Sequence, residues 1–281
     1  MAAKNGMTLR AQWLGRELRA LREAAGLRLP EAAEYIQRDG ATVSRLETGL
    51  YPARTPDVQA LLDLYGVTDH QRRAGLMRLA AEVWQTGWWD GYSGDLAKMM
   101  IDYAWVESRA CVIRSFDALV VPGLLQTPAY MRAVIQKSDF DNALTSSGTQ
   151  FRLERQRILT TEDPSTIKAV LDESVLRRVV GGPATLKEQL THLIDMAQWP
   201  NIEIRVLPFS TGAHACLDGS FIIFEMPEPY PQVGYVDTPA RGIYVEQEAM
   251  EKLILKYEQI QRDALEPRQS AEMIRAVLGT I

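Results

Sequence analysis

Between Thr8 and Val67 the sequence is punctuated into four short apolar-striped segments, and this punctuation constrains the fold more tightly than any other feature of the chain. Leu14, Leu18, Leu21 and Ala25 fall at i, i+4, i+7 and i+11, one stripe of a helix of about four turns, with Gly26 in the C′ place. The run Leu29-Pro30-Glu31-Ala32-Ala33-Glu34-Tyr35-Ile36 starts a second helix with Pro30 in its permitted first turn. Arg38-Asp39-Gly40 breaks it, Asp39 suits the N-cap of a third helix over Ala41–Thr48, and Gly49 ends that helix. Thr55-Pro56-Asp57 opens a fourth, carrying Val58, Leu61, Leu62 and Tyr65, and Gly66 closes it.

Two short helices joined by a tight turn are the geometry of a helix-turn-helix. Val43 and Leu46 lie three apart and must face the core, which leaves Ala41, Thr42, Ser44, Arg45 and Thr48 outward, with Arg38 and Gly40 at the turn before them. Small outward side chains let a helix approach the floor of the major groove. The Arg45 fork then suits the O6/N7 edge of a guanine. The first N–H groups of the second and third helices are candidates for phosphate contacts.

The string Ala41-Thr42-Val43-Ser44-Arg45-Leu46-Glu47-Thr48-Gly49, preceded by Gly26-Leu27, resembles the Xre-type DNA-binding domain of the lambda repressor and Cro superfamily. The resemblance implies a homodimer on a palindromic double-stranded DNA operator, and a structural ion pair between Arg22 and Glu47 that locks the first helix to the third. Two positions depart from the family pattern. Leu29 replaces an early glutamine, and Gln37 stands where the turn glycine is usual, so a turn of different shape is expected.

Residues 8–68 are therefore read as an all-α helix-turn-helix domain, 69–95 as a helical and aromatic linker, and 96–281 as an α+β regulatory domain with a small mixed sheet. His70 to Trp84 reads as a helix. Four of the six tryptophans fall between 84 and 105; packing is the favoured reading, and a ligand box containing Trp88 and Trp89 is the alternative. Helices are expected at 96–114, from 128, 149–159, 173–180, 184–197, 246–265 and 269–278. Strands are expected at 118–121, 167–171, 202–207, 220–224, 233–236 and 243–245.

Val121-Pro122-Gly123-Leu124-Leu125-Gln126-Thr127-Pro128-Ala129-Tyr130 is the most specific string of this half. With Arg152-x-x-Arg155-Gln156, Leu171-Asp172-Glu173-Ser174, Gly181-Gly182 and Val206-Leu207-Pro208-Phe209 before Gly212-Ala213-His214, it resembles the C-terminal domain of WhiJ-like, antitoxin-like regulators of actinomycetes. That resemblance implies transcription regulation with a small acidic partner protein; a small-molecule effector sensed by this domain is the other expectation. Gln126, Arg152, Arg155 and His214 are the candidate contact residues, the two arginines lying on one helix face. The alternative function is an antitoxin-like interaction protein that sequesters the acidic partner and autoregulates its operon.

The net charge of −5 conceals an asymmetry: residues 1–68 hold 9 Lys+Arg against 8 Asp+Glu, net +1, and the remainder is −6. Two cysteines exclude a disulfide framework. The absence of an 18-residue apolar run and of a signal-like start points to the cytoplasm and away from membranes. His70, His192 and His214 form no paired metal spacing, His214 and Cys216 lack a group to orient a base, and Gly181-Gly182-Pro183 lacks the Lys-Ser/Thr of a phosphate loop. The expectation is a protein that is not an enzyme, with no metal and no cofactor.

Overall fold

The computed structural model of the protein describes residues 8–85, 87–92, 98–138, 144–228, 230–240 and 242–281. Of the expected linker, residues 86 and 93–95 lie outside these, as do 96 and 97 at the start of the helix expected there. The chain divides into two compact units. One comprises residues 1–93 with 100–102 and 228–230, the other 94–99, 103–227 and 231–281.

The first unit is helical: α1 (Leu9–Ala24), α2 (Leu29–Tyr35), α3 (Gly40–Glu47), α4 (Thr55–Leu64) and α5 (His70–Glu82). Thr8 caps α1 and Asp39 caps α3 through side chains that accept first-turn N–H groups. Leu14, Leu18, Val43, Leu46, Val58, Leu61 and Leu62 form its buried centre, and α3 packs on both α1 and α2. The contact between α1 and α3 is backbone-close. A Cβ on Gly15 would lie 2.4 Å from the Leu46 carbonyl oxygen and 2.5 Å from that of Glu47, so only glycine lets the end of α3 rest there.

The turn between α2 and α3 keeps a conformation that suits glycine although glutamine occupies it. Gln37 has φ 55°, its N–H donates to the Glu34 carbonyl, and the Arg38 N–H donates to that of Ala33. These two bonds are the pair that closes a helix with a left-handed C′ residue. The different turn shape expected from the missing glycine is thus replaced by a strained glutamine in the ordinary shape.

The second unit is α+β. Its helices are α6 (Lys98–Arg109), α7 (Pro128–Ser138), α8 (Leu144–Arg155), α9 (Glu173–Arg177), α10 (Pro183–Met196), α11 (Glu248–Asp263) and α12 (Pro267–Leu278). The strands are β1 (Val112–Asp117), β2 (Thr166–Asp172), β3 (Ile202–Leu207), β4 (Phe221–Glu225), β5 (Val233–Asp237) and β6 (Gly242–Val245), in one mixed sheet of order β3-β2-β1-β4-β5-β6. β1, β2 and β3 run parallel, and β4 to β6 form an antiparallel meander. Such parallel strands need helical crossovers, which α7 with α8 and α9 with α10 supply. Phe116, Val170, Phe221, Ile223, Tyr257 and Ile260 are part of the core that α11 helps to bury.

Two expectations for this unit need correction. The first strand is 112–117 and not 118–121, and the helix expected to reach 114 ends at Arg109. Ser115 and Asp117 hid the strand by interrupting its apolar pattern, and they satisfy each other, the Ser115 hydroxyl donating to Asp117 Oδ2 at 2.6 Å. No helix of the described residues is long and apolar enough to cross a membrane.

Candidate nucleic-acid interface

Helix α3 has eight residues and two faces. Val43 and Leu46 are buried, whereas Ala41, Arg45 and Thr48 are exposed, with Gly40, Thr42 and Ser44 partly so. The outward side therefore presents small side chains and one guanidinium. Thr48 donates its hydroxyl to the Ser44 carbonyl at 2.9 Å, so its polar end is turned back onto the helix. Arg38 is exposed at the preceding turn, 3.5 Å from Asp57.

The start of α3 differs from the expectation of free N–H groups. Asp39 Oδ1 accepts the Thr42 N–H at 2.7 Å, and Oδ2 accepts the Thr42 hydroxyl at 2.9 Å. Those hydrogen bonds hold the Asp39 carboxyl below the usual carboxylate range, so this end carries a negative charge that disfavours a phosphate. At α2 the Glu31 carboxylate takes the Arg28 N–H at 2.7 Å, with the Arg28 side chain exposed beside it.

The scaffold under this face rests on one ion pair. Arg22 Nε and Nη2 donate to the two Glu47 carboxylate oxygens at 2.6 and 3.0 Å, and Arg22 Nη1 reaches the Leu27 carbonyl at 2.7 Å. Both side chains are nearly covered, 9% and 5% exposed. The bonds to Glu47 raise the pKa of Arg22 further, so its guanidinium stays charged.

One residue at this face escaped the sequence reading. Tyr51, two residues past Gly49, is 47% exposed, its N–H donates to the Arg45 carbonyl at 3.2 Å, and its ring centre lies 5.2 Å from Arg45 Cζ. An aromatic residue six positions after a candidate base-reading arginine was the available signal.

In the second unit the candidate contact residues separate. Arg155 is buried: Nε and Nη2 donate to both oxygens of Glu107 at 2.6 and 2.7 Å, and Cζ lies 4.7 Å from the Tyr103 ring centre. Burial cannot be reconciled with a partner-facing groove, because withdrawing one member would strand the other charge. Gln126 is buried too, its amide donating to the Val121 carbonyl and its oxygen accepting from Arg152 at 3.2 Å. Together with Gln156, which donates to the carbonyls of Gly123, Leu124 and Gln126, and Gln189, which pairs with Thr127 N–H and Leu125 O, it satisfies the irregular backbone of 121–127.

Trp89 lies in the first unit and is buried, with its ring on Gly87 and against Trp88, itself half-buried, at 5.7 Å between centres. His214 is half-buried. Its Nδ1 accepts the Cys216 N–H at 3.2 Å and its ring meets Phe116 edge-on. A shallow groove of about 260 Å³ lies elsewhere in the second unit, walled by Leu124, Leu153, His192, Met196 and Trp199 among others, none of them singled out as ligand residues from the sequence. Among the described residues no group of three or more His, Cys, Asp or Glu could hold a metal ion.

The first unit is by its geometry a helix-turn-helix module, the mark of a DNA-binding regulator. A family model described as a helix-turn-helix domain matches residues 13–75. A second, described as a domain of unknown function (DUF5753), matches residues 100–276, and the chain belongs to that family. No curated protein and no solved structure matches the chain.

Proposed function

We propose that the chain is an Xre-type, cytoplasmic transcription regulator that binds a palindromic operator as a homodimer. Its second unit, of WhiJ-like and antitoxin-like character, shifts the DNA-competent population in response to a small acidic partner protein or a small-molecule effector. The observation that supports the DNA-binding part is the outward face of α3, where Arg45 stands exposed among Ala41, Thr42 and Ser44 on a helix locked from behind by the Arg22–Glu47 pair. Arg45 contacts a guanine edge, while Arg38 and Gly40 face the backbone. No catalytic step is part of this reading.

Binding-site selection with the full chain tests it. Arg45→Ala should cost about 1–3 kcal/mol and relax preference at one base pair per half-site. A wild-type chain that enriches no sequence would overturn the reading. Release of DNA by a co-purifying small acidic chain would favour the antitoxin-like reading, in which sequestration is the main activity.

A further inference from the structure

The cation–π pair formed by Arg45 and Tyr51 carries an inference that rests on the proposed reading of α3. We propose that Tyr51 is a specificity-determining positioning residue, which holds the Arg45 guanidinium in the orientation that reads guanine in duplex DNA. An exposed arginine on a short helix has four rotatable side-chain bonds, and fixing them on a base edge opposes binding. The 5.2 Å separation between Arg45 Cζ and the Tyr51 ring centre is inside the range of cation–π attraction. That attraction acts on the guanidinium charge as a whole and requires none of its N–H groups as hydrogen-bond donors. Hydrogen bonding to guanine O6 and N7 uses its in-plane N–H edge. The two demands are compatible, so the ring restrains the fork and leaves donors for the base.

The backbone supports the same geometry. Tyr51 N–H donates to the Arg45 carbonyl at 3.2 Å, which ties the residue after the helix to the one that reads the base. Gly49 has φ 71°, and its Cβ position lies 2.7 Å from the Gln12 N, so the turn that delivers Tyr51 to the arginine is pinned against α1. Asp39, at the start of α3, is a charged group that attracts Arg45. Tyr51 is half-exposed, and a buried hydrophobic role is not what holds it in place.

The test uses the full chain and a pool of duplexes with a randomised 20-base-pair core, comparing wild type, Tyr51→Phe, Tyr51→Ala, Arg45→Ala and the double variant. Thermal melts establish that each variant is folded. Tyr51→Ala should reduce discrimination about two- to fivefold, the size of an exposed cation–π contact, and only at the base pair that Arg45→Ala also relaxes. Tyr51→Phe, which keeps the ring face, should restore the wild-type preference. Tyr51→Ala should add nothing to Arg45→Ala in the double variant. Unchanged preference in Tyr51→Ala, or a change at a base pair that Arg45 does not read, overturns the inference while leaving Arg45 as base reader. A wild-type pool without enrichment overturns this inference and the regulator reading together.

Discussion

Removing Glu47 should unfold the first unit before it touches DNA recognition directly. In Glu47→Ala, Arg22 keeps its charge in a site where its side chain is only 9% exposed, with the Leu27 carbonyl at 2.7 Å and the half-exposed Glu23 carboxylate at 3.5 Å as its remaining partners. The neighbouring Tyr65 hydroxyl is itself buried without a hydrogen-bond partner, and burial pushes its pKa up, so it provides no counter-charge. Removing one member of a buried pair costs about 3–5 kcal/mol, and the solvent-screened Glu23 carboxylate offsets little of it. At roughly 4 °C or more per kcal/mol for a unit of this size, the melting temperature should fall by more than about 12 °C. The double variant Arg22→Met/Glu47→Leu removes both charges and replaces them with apolar volume, so it should lie within about 2 kcal/mol of wild type. Hydrogen exchange of the full chain, followed at amides of α1 and α3, isolates this unit from the rest. A Glu47→Ala loss below 1 kcal/mol, or a double variant as damaged as the single one, would refute the electrostatic account.

Two further outcomes follow from groups held in unfavourable states. Gln37→Gly should stabilise the first unit by about 0.5–1 kcal/mol in urea unfolding, since it relieves a left-handed glutamine but adds chain entropy to the unfolded state; a loss would show that the side chain matters there. Burial raises the pKa of Asp117 to about 7, so its stabilising protonated state is lost as pH rises from 4 through 7. Asp117→Asn, which still accepts from Ser115, should therefore gain about 2–4 kcal/mol on wild type between pH 5 and 8, and parallel stability curves would refute the shift.

The first unit was legible because its determinants are local. Caps, helix-ending glycines and a 3.6-residue stripe are all encoded within a few positions, and Asp39, Gly26 and Pro30 act where the pattern places them. The second unit was legible in its class and in most strands, but not where tertiary contacts override local pattern. β1 was displaced because Ser115 and Asp117 break its apolar pattern, whereas the strand is fixed by pairing with β2 and β4, which lie far along the chain. Gln156 and Gln189 meet the 121–127 backbone from 30 to 64 residues away, and nothing in their own surroundings signals it. Arg155 misled for the same reason: its partner Glu107 is 48 residues distant, so a buried pair looked like an open charged face.

The charge distribution gives the α3 face added weight under the proposed reading. With net +1 over residues 1–68 and an ionised Asp39 at the start of α3, general attraction to the phosphate backbone is weak. Affinity for an operator must then depend on shape and base contacts more than in a strongly basic domain. A single flexible arginine would supply such contacts poorly, because its own freedom opposes its one bidentate bond. Pre-orienting that arginine on a neighbouring ring reduces the cost without adding positive charge, so discrimination improves while non-specific binding does not. A regulator with little electrostatic hold on random DNA has its strongest reason to order its reading side chain before contact, and Arg45 against Tyr51 is the place in the first unit where such ordering is built.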